Sequence, residues 1–229
     1  MLFRSTEVLA RIAAAAARAG RDPAAVTLVA VSKTVPAARL RAAVEAGLTV
    51  LGENRVQEAE AKAADLPGVS WHLVGPLQSN KARRAVTLFE VIESVDSVEL
   101  ARRLDRLAGE LRPGRPLAVL LEVNVDRDPA KAGFDPEAVA AALPELLGLP
   151  HLRVAGLMTI GHQVADPAAA RPAFVALREL GMRLRTSHPG LGAALSMGMS
   201  DDFEVAVEEG ATIVRVGRAL FGARPVAPG

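Results

Sequence analysis

The sequence predicts an α/β fold: one closed (β/α)8 barrel preceded by an extra helix. Three observations lead there. Eight short β-rich runs recur along 229 residues. Segments of helical spacing separate them, and strict alternation of this kind implies a parallel sheet. Eight such units in this length suit a closed TIM barrel better than an open doubly wound sheet.

The strand candidates in order are "VTLVAVS", "LTVLG", "SWHLVG", "EVIESV", "LAVLLEVNV", "RVAGLMTI", "AALSMG" and "TIVRVG". Their near-continuous apolar character suits strands covered on both faces. Helical spacing marks 36–46, 54–65, 78–88, 97–111, 136–148, 166–186 and 200–209. Pro36 suits a first helical turn, Asn54 and Ser97 suit N-caps, and Gly47 and Gly210 suit helix ends. An amphipathic helix over 3–19, ended by Gly20, is surplus to the eightfold plan and is expected on the outside of the barrel or across one end. "RPGRP" and "PAKAGFDP" are loops too short to join domains, so residues 1–229 read as a single domain.

Composition narrows the function classes. Half the residues are hydrophobic and the formal net charge is +1, which allows a large core with no strong electrostatic bias. The cluster Lys81, Arg83 and Arg84 reads as the exposed face of a helix, and aromatic residues for base stacking are scarce, so nucleic acid is not an expected partner. With no cysteine, disulfides, thiolate metal sites and cysteine nucleophiles are excluded, and a reducing cytoplasm is the expected location. Arg4, Glu7, Arg11 and Arg18 interrupt the amino-terminal stretch, which is thereby unlike a signal peptide. No apolar run is long enough to span a bilayer, and no long hydrophobic stripe remains once the barrel helices are packed; a soluble monomer is expected.

Barrel enzymes carry their chemistry at the carboxyl ends of the strands. There "VTLVAVSKT" ends on Lys33. A lysine in that position is ordinarily a solvated ammonium, since lysine is rarely buried without a partner. Two glycine-containing loops change the weighing. "SMGMSDD" follows the seventh strand and "VRVGRALFG" follows the eighth, each opening a helix. Glycine lets backbone N–H groups approach an anion, helix starts present unpaired donors, and this is the usual phosphate position in a barrel. Across the mouth, burial and a cation such as Arg215 would lower the pKa of Lys33 and leave free amine to form an imine with a phosphorylated aldehyde. Lysine and phosphate cradle together describe the anchors of pyridoxal 5′-phosphate (PLP). Arg215 would face the pyridine nitrogen and keep it unprotonated, weakening the electron sink on which most PLP chemistry depends.

The segments "VAVSKT", "GENRVQE", "WHLVGPLQSNK", "EVNV" with "KAGF", "GLMTI" and "SMGMSDDFEVAVEEGATIVRVGRALFG" resemble the YggS/PROSC family, the PLP homeostasis proteins, over nearly the whole chain. The resemblance implies a barrel like the amino-terminal domain of alanine racemase, with PLP held as a Schiff base on Lys33. It implies a cytoplasmic protein that contributes to PLP (vitamin B6) homeostasis and to amino-acid and keto-acid balance. By position it implies that Ser196, Gly217 and Arg218 hold the phosphate, with Met197 and Gly198 in the same loop. Arg215 would meet the pyridine nitrogen, and Asn54 and His72 would line the ring pocket. The loop "NVDRDPAKAGF" departs from relatives at Asp126 to Pro129, and "TIGHQVADPAAARPAF" lacks acidic residues common there; both touch partners more than the cofactor pocket.

Catalysis is a separate matter. Racemisation through PLP needs proton removal on one face and delivery on the other. In alanine racemase-like enzymes a tyrosine from a second domain serves one face, and this chain has no tyrosine. Of its histidines, only His72 falls clearly at a strand's carboxyl end, and a structural role is the ordinary expectation for it. A carrier or regulator that passes PLP to apo-enzymes is therefore expected ahead of a minimal amino-acid racemase. A Schiff-base aldolase acting on sugar phosphates is the third alternative. Glu53 and Glu122 are ordinarily orienting or solvated carboxylates. Asp201 and Asp202 read as first-turn acidic residues rather than a metal site.

Overall fold

The computed structural model describes residues 4–162 and 164–222. Eight parallel strands among them close into a barrel in chain order. They are β1 Thr27–Val31, β2 Val50–Glu53, β3 Ser70–Leu73, β4 Val91–Val95, β5 Leu117–Glu122, β6 Leu152–Met158, β7 Ala194–Ser196 and β8 Ile213–Val216. The helices are α1 Ser5–Arg18, α2 Ala37–Glu45, α3 Val56–Ala63, α4 Ala82–Leu88, α5 Val98–Leu111, α6 Pro136–Leu147, α7 Arg171–Ser187, α8 Phe203–Glu208 and α9 Arg218–Phe221. Every strand run read from the sequence overlaps one of these strands; β2 runs one residue past its run, to Glu53, and β6 starts one residue before its run, at Leu152. Position 3 of the helix expected over 3–19 lies outside the described residues, and among them no helix is long and apolar enough to cross a membrane.

Side-chain periodicity explains the layers. In α5, Leu100, Ala101, Leu104, Leu107 and Ala108 are buried, a stripe at helical spacing laid on the sheet, and the Ser97 hydroxyl caps the helix by accepting from Leu100 N at 3.3 Å. Successive strand residues alternate between the helix layer and the barrel interior. Leu28 and Ala30 of β1 join the outer hydrophobic cluster. Val29, between them, points inward, where a methyl on Gly52 would strike its Cγ1 at 2.7 Å. The basic cluster of α4 is an ion-paired outer face: Arg83 meets Glu110 of α5 and Arg84 meets Glu60 of α3.

The surplus helix α1 packs outside the barrel on α8, burying Val8, Ile12, Ala15 and Ala16. The Arg11 guanidinium lies 4.6 Å from the centroid of the Phe203 ring and 2.9 Å from Glu204, so α1 braces the short helix that follows the seventh strand.

Candidate functional site

The carboxyl ends of β1, β2, β3, β6 and β8 open onto a cavity of about 480 Å³. Lys33, Asn54, Arg215, Gly217 and Arg218 line it together with Ser200. Five of the nine residues named from the sequence thus share one mouth. A second cavity, of about 410 Å³, lies on the other side of Lys33 under α2 and α9 and shares Lys33, Gly217 and Arg218 with the first.

Strand phase places these groups. Glu53, the last residue of β2, faces outward to α3, so Asn54 after it faces the mouth. The close packing of Asn54 against β3 requires glycine next to it: a Cβ on Gly75 would lie 2.7 Å from Asn54 O and 2.8 Å from its Cα. Lys33 sits on a tight turn, where Val35 N donates to Ser32 O at 2.9 Å. Thr34 in that turn has φ +66°, a left-handed conformation that costs a non-glycine residue about 1–2 kcal/mol.

The side of the mouth expected to take an anion is made by two loops. The backbone N–H groups of Gly217 and Ala219 both point at Ser200 Oγ, at 3.3 and 3.2 Å. Asp202 secures the approach by accepting from Met199 N at 2.6 Å. Its carboxyl is pushed up by burial, against the pull of that bond and of Arg215. Helices α8 and α9 have only six and four residues, so their dipoles add less to an anion site than the sequence reading expects. Arg218 reaches across the rim to pair with Asp201.

The other four predicted residues lie elsewhere. The Met197 side chain is fully buried in the outer hydrophobic cluster, facing away from the barrel interior, so only its backbone is available to the loop. Gly198 is a packing position: with φ +90°, a Cβ there would meet Ala206 Cβ at 2.4 Å, and its carbonyl accepts from Arg215 N at 3.0 Å. His72 points into the barrel below the mouth, its Nδ1 2.6 Å from Glu93 Oε1.

Ser196 is drawn into the same interior network. Its Oγ accepts from Arg215 Nη1 at 2.5 Å and lies 2.6 Å from Glu93 Oε2, while Arg215 Nη2 donates to Thr159 O at 2.8 Å. Bonds joining β4 to β7 can only cross the barrel interior, a space that branched apolar side chains ordinarily fill. Burial would raise the Glu93 carboxyl, but His72 and Arg215 outweigh it and hold the group below its ordinary value. Burial lowers the Arg215 pKa, opposed by Glu93, Glu122 and Asp202; the guanidinium remains a cation. Glu122, at the end of β5, is pushed up to about 7, first by burial and then by Asp96.

Sequence reasoning missed Glu93 and Ser200. A charge at an inward phase of the apolar run "EVIESV" was the available signal for Glu93. For Ser200 it was a hydroxyl two residues beyond a glycine in the seventh loop.

A parallel barrel whose lysine, buried arginine and strand-end loops share one mouth has the layout of a barrel that takes a small molecule at the carboxyl ends of its strands. Residues 6–225 match the family model described as alanine racemase, N-terminal domain, and the chain belongs to that family. Over 223 residues it is 50% identical to the pyridoxal phosphate homeostasis protein of Pseudomonas aeruginosa, covering 95% of this chain and 93% of the relative. The solved structure of PipY from Synechococcus elongatus with PLP bound superposes with a TM-score of 0.82 at 47% identity, covering 94% of this chain and 100% of that one. Alanine racemase from Clostridium difficile shares the fold, with a TM-score of 0.71 at 14% identity over 96% of this chain and 60% of that one.

Proposed function

We propose that this protein binds PLP through Lys33 and acts in the cytoplasm as a one-domain, monomeric carrier that keeps PLP available to apo-enzymes. The observation that carries the proposal is the single mouth shared by Lys33, Arg215, Gly217, Arg218 and Ser200, whose hydroxyl accepts from the Gly217 and Ala219 amides. When bound, PLP would supply an aldehyde carbon open to attack by an amine, with water as the leaving product. The residues present fit that group. Lys33 would provide the amine, Gly217 and Ser200 would offer donors to the phosphate, Arg218 would add a cation at the rim, and Asn54 would border the ring space. Arg215, fixed from below by Ser196 and Thr159, presents a donor-only cation to the ring nitrogen and disfavours a proton there. The relative from Pseudomonas aeruginosa, by its name, and PLP-bound PipY support PLP as the ligand.

Little or no catalysis goes with this arrangement. The chain has no tyrosine, and His72, bonded to Glu93 beneath the mouth, is poorly placed to serve the second face of a bound amino acid. The deciding experiment is the visible absorbance of the protein and of Lys33→Ala, each with and without PLP. A band in the first that is lost in the second is the expected result. No band, or a band that survives the substitution, overturns the assignment of Lys33. Rapid appearance of D-alanine from L-alanine would overturn the carrier role.

A further inference from the structure

The turn that carries Lys33 is held from behind, on the side away from the mouth. Lys62 of α3 donates through Nζ to Glu53 Oε1 at 2.6 Å and to Ser32 O at 2.9 Å. The Ser32 hydroxyl donates to the same carboxylate oxygen at 2.7 Å. One helical turn earlier, Glu58 accepts from Thr34 N at 3.4 Å. Ser32 O therefore takes two donors, Lys62 Nζ and Val35 N, and the peptide leading into Lys33 is fixed in its plane.

Glu53 is fully buried, and the Lys62 side chain is only 12% exposed. Removing two charges from water is costly, and a buried ion pair of this kind stabilises a fold no better than apolar residues of the same volume. What the pair supplies beyond packing is orientation. Glu53 is also the immediate neighbour of Asn54, so one carboxylate ties together the ends of β1 and β2, the two strands that bring Lys33 and Asn54 to the mouth. The left-handed Thr34 shows that the turn departs from relaxed geometry, and a strained turn keeps its form only where its surroundings over-determine it.

The geometry points to Lys62 and Glu53 as positioning residues for Lys33: the buried pair fixes the turn so that the lysine faces the mouth, and thereby sets how long PLP stays bound. This inference rests on the PLP assignment above, with one arm that stands apart from it.

The test uses the full chain and two variants, Glu53→Gln/Lys62→Met and Lys62→Arg. Both charges leave together in the double variant, so neither remains buried alone. In protein without PLP, exchange of the Val35 amide hydrogen is expected to quicken about tenfold or more in the double variant, the factor attached to a lost hydrogen bond from a charged group. Loss of the visible band after dilution into PLP-free buffer is expected to quicken by a similar factor. Lys62→Arg, which keeps both donations, is expected to restore most of each. Wild-type exchange and release in the double variant would overturn the inference. So would faster exchange with unchanged release, since the pair would then shape the turn without positioning the amine. A wild-type protein showing no band overturns the PLP assignment instead, and Val35 exchange then decides the clamp alone.

Discussion

Ser196 separates two accounts of the same hydroxyl. By the family resemblance, it is expected to be a phosphate ligand. In the structure its oxygen lies between Arg215 Nη1 and Glu93 Oε2, at 2.5 and 2.6 Å, fully buried in the barrel interior. An oxygen so engaged has little left to offer an anion, whereas Ser200 stands at the mouth with two amides aimed at it. Ser196→Ala removes the bridge and leaves a buried carboxylate and a buried guanidinium each short of a partner. Such a loss costs about 1–3 kcal/mol. The expected outcome is destabilisation of that size in urea unfolding of the protein without PLP, with PLP affinity reduced less than in Ser200→Ala. Unchanged stability joined to a large loss of affinity would return Ser196 to the phosphate.

At the scale of elements, the short helix α8 depends on its neighbours. Six residues are too few to hold a helix in water, so its stability comes from contacts. Arg21, following α1, donates to Val207 O and, at 2.8 Å, to Ala211 O, satisfying carbonyls at and beyond the end of α8. Arg18 pairs with Glu208 at 2.8 Å, and Arg171 and Arg178 both meet Glu209. The extra helix thus acts on the loop from Met199 to Asp202 by fixing the element that follows it. Arg21→Ala is expected to cost about 2 kcal/mol, as for hydrogen bonds from a charged donor. Hydrogen exchange should quicken in α8 while the strands β4 and β5 stay protected. A change below about 0.5 kcal/mol, the range of ordinary surface substitutions, would show that α8 stands without this brace.

For the whole molecule, the alternation of apolar runs and helical spacing made the barrel legible, and the strand-end rule placed Lys33, Asn54, Arg215, Gly217 and Arg218 at one mouth. The interior network was not legible in the same way. Glu93 and Ser196 are 103 residues apart, and their contact depends on the inward phase of two strands on different sides of a closed barrel. The same phase turns Met197 away from the interior, and it separates Glu53, facing α3, from Asn54, facing the mouth. The placement of charge inside the barrel governs how stability responds to pH. Glu122 is held at about 7, raised from an ordinary 4.5 by burial and by Asp96 against the pull of Arg215. Between those values the folded chain keeps a proton that the unfolded chain has lost, so stability falls as pH rises through the window. Glu53 and Asp202, also raised by burial, act in the same sense. Glu93, held below its ordinary value, acts in the opposite sense, but its contribution is lost only as pH falls through its lower folded pKa. From pH 5.5 to 8 the Glu122 contribution alone amounts to about 2 kcal/mol. Urea unfolding at those two pH values should show wild type losing about that much more stability than Glu122→Gln, which cannot ionise. Equal losses in the two proteins would place the Glu122 carboxylate in contact with water and remove it from the buried interior.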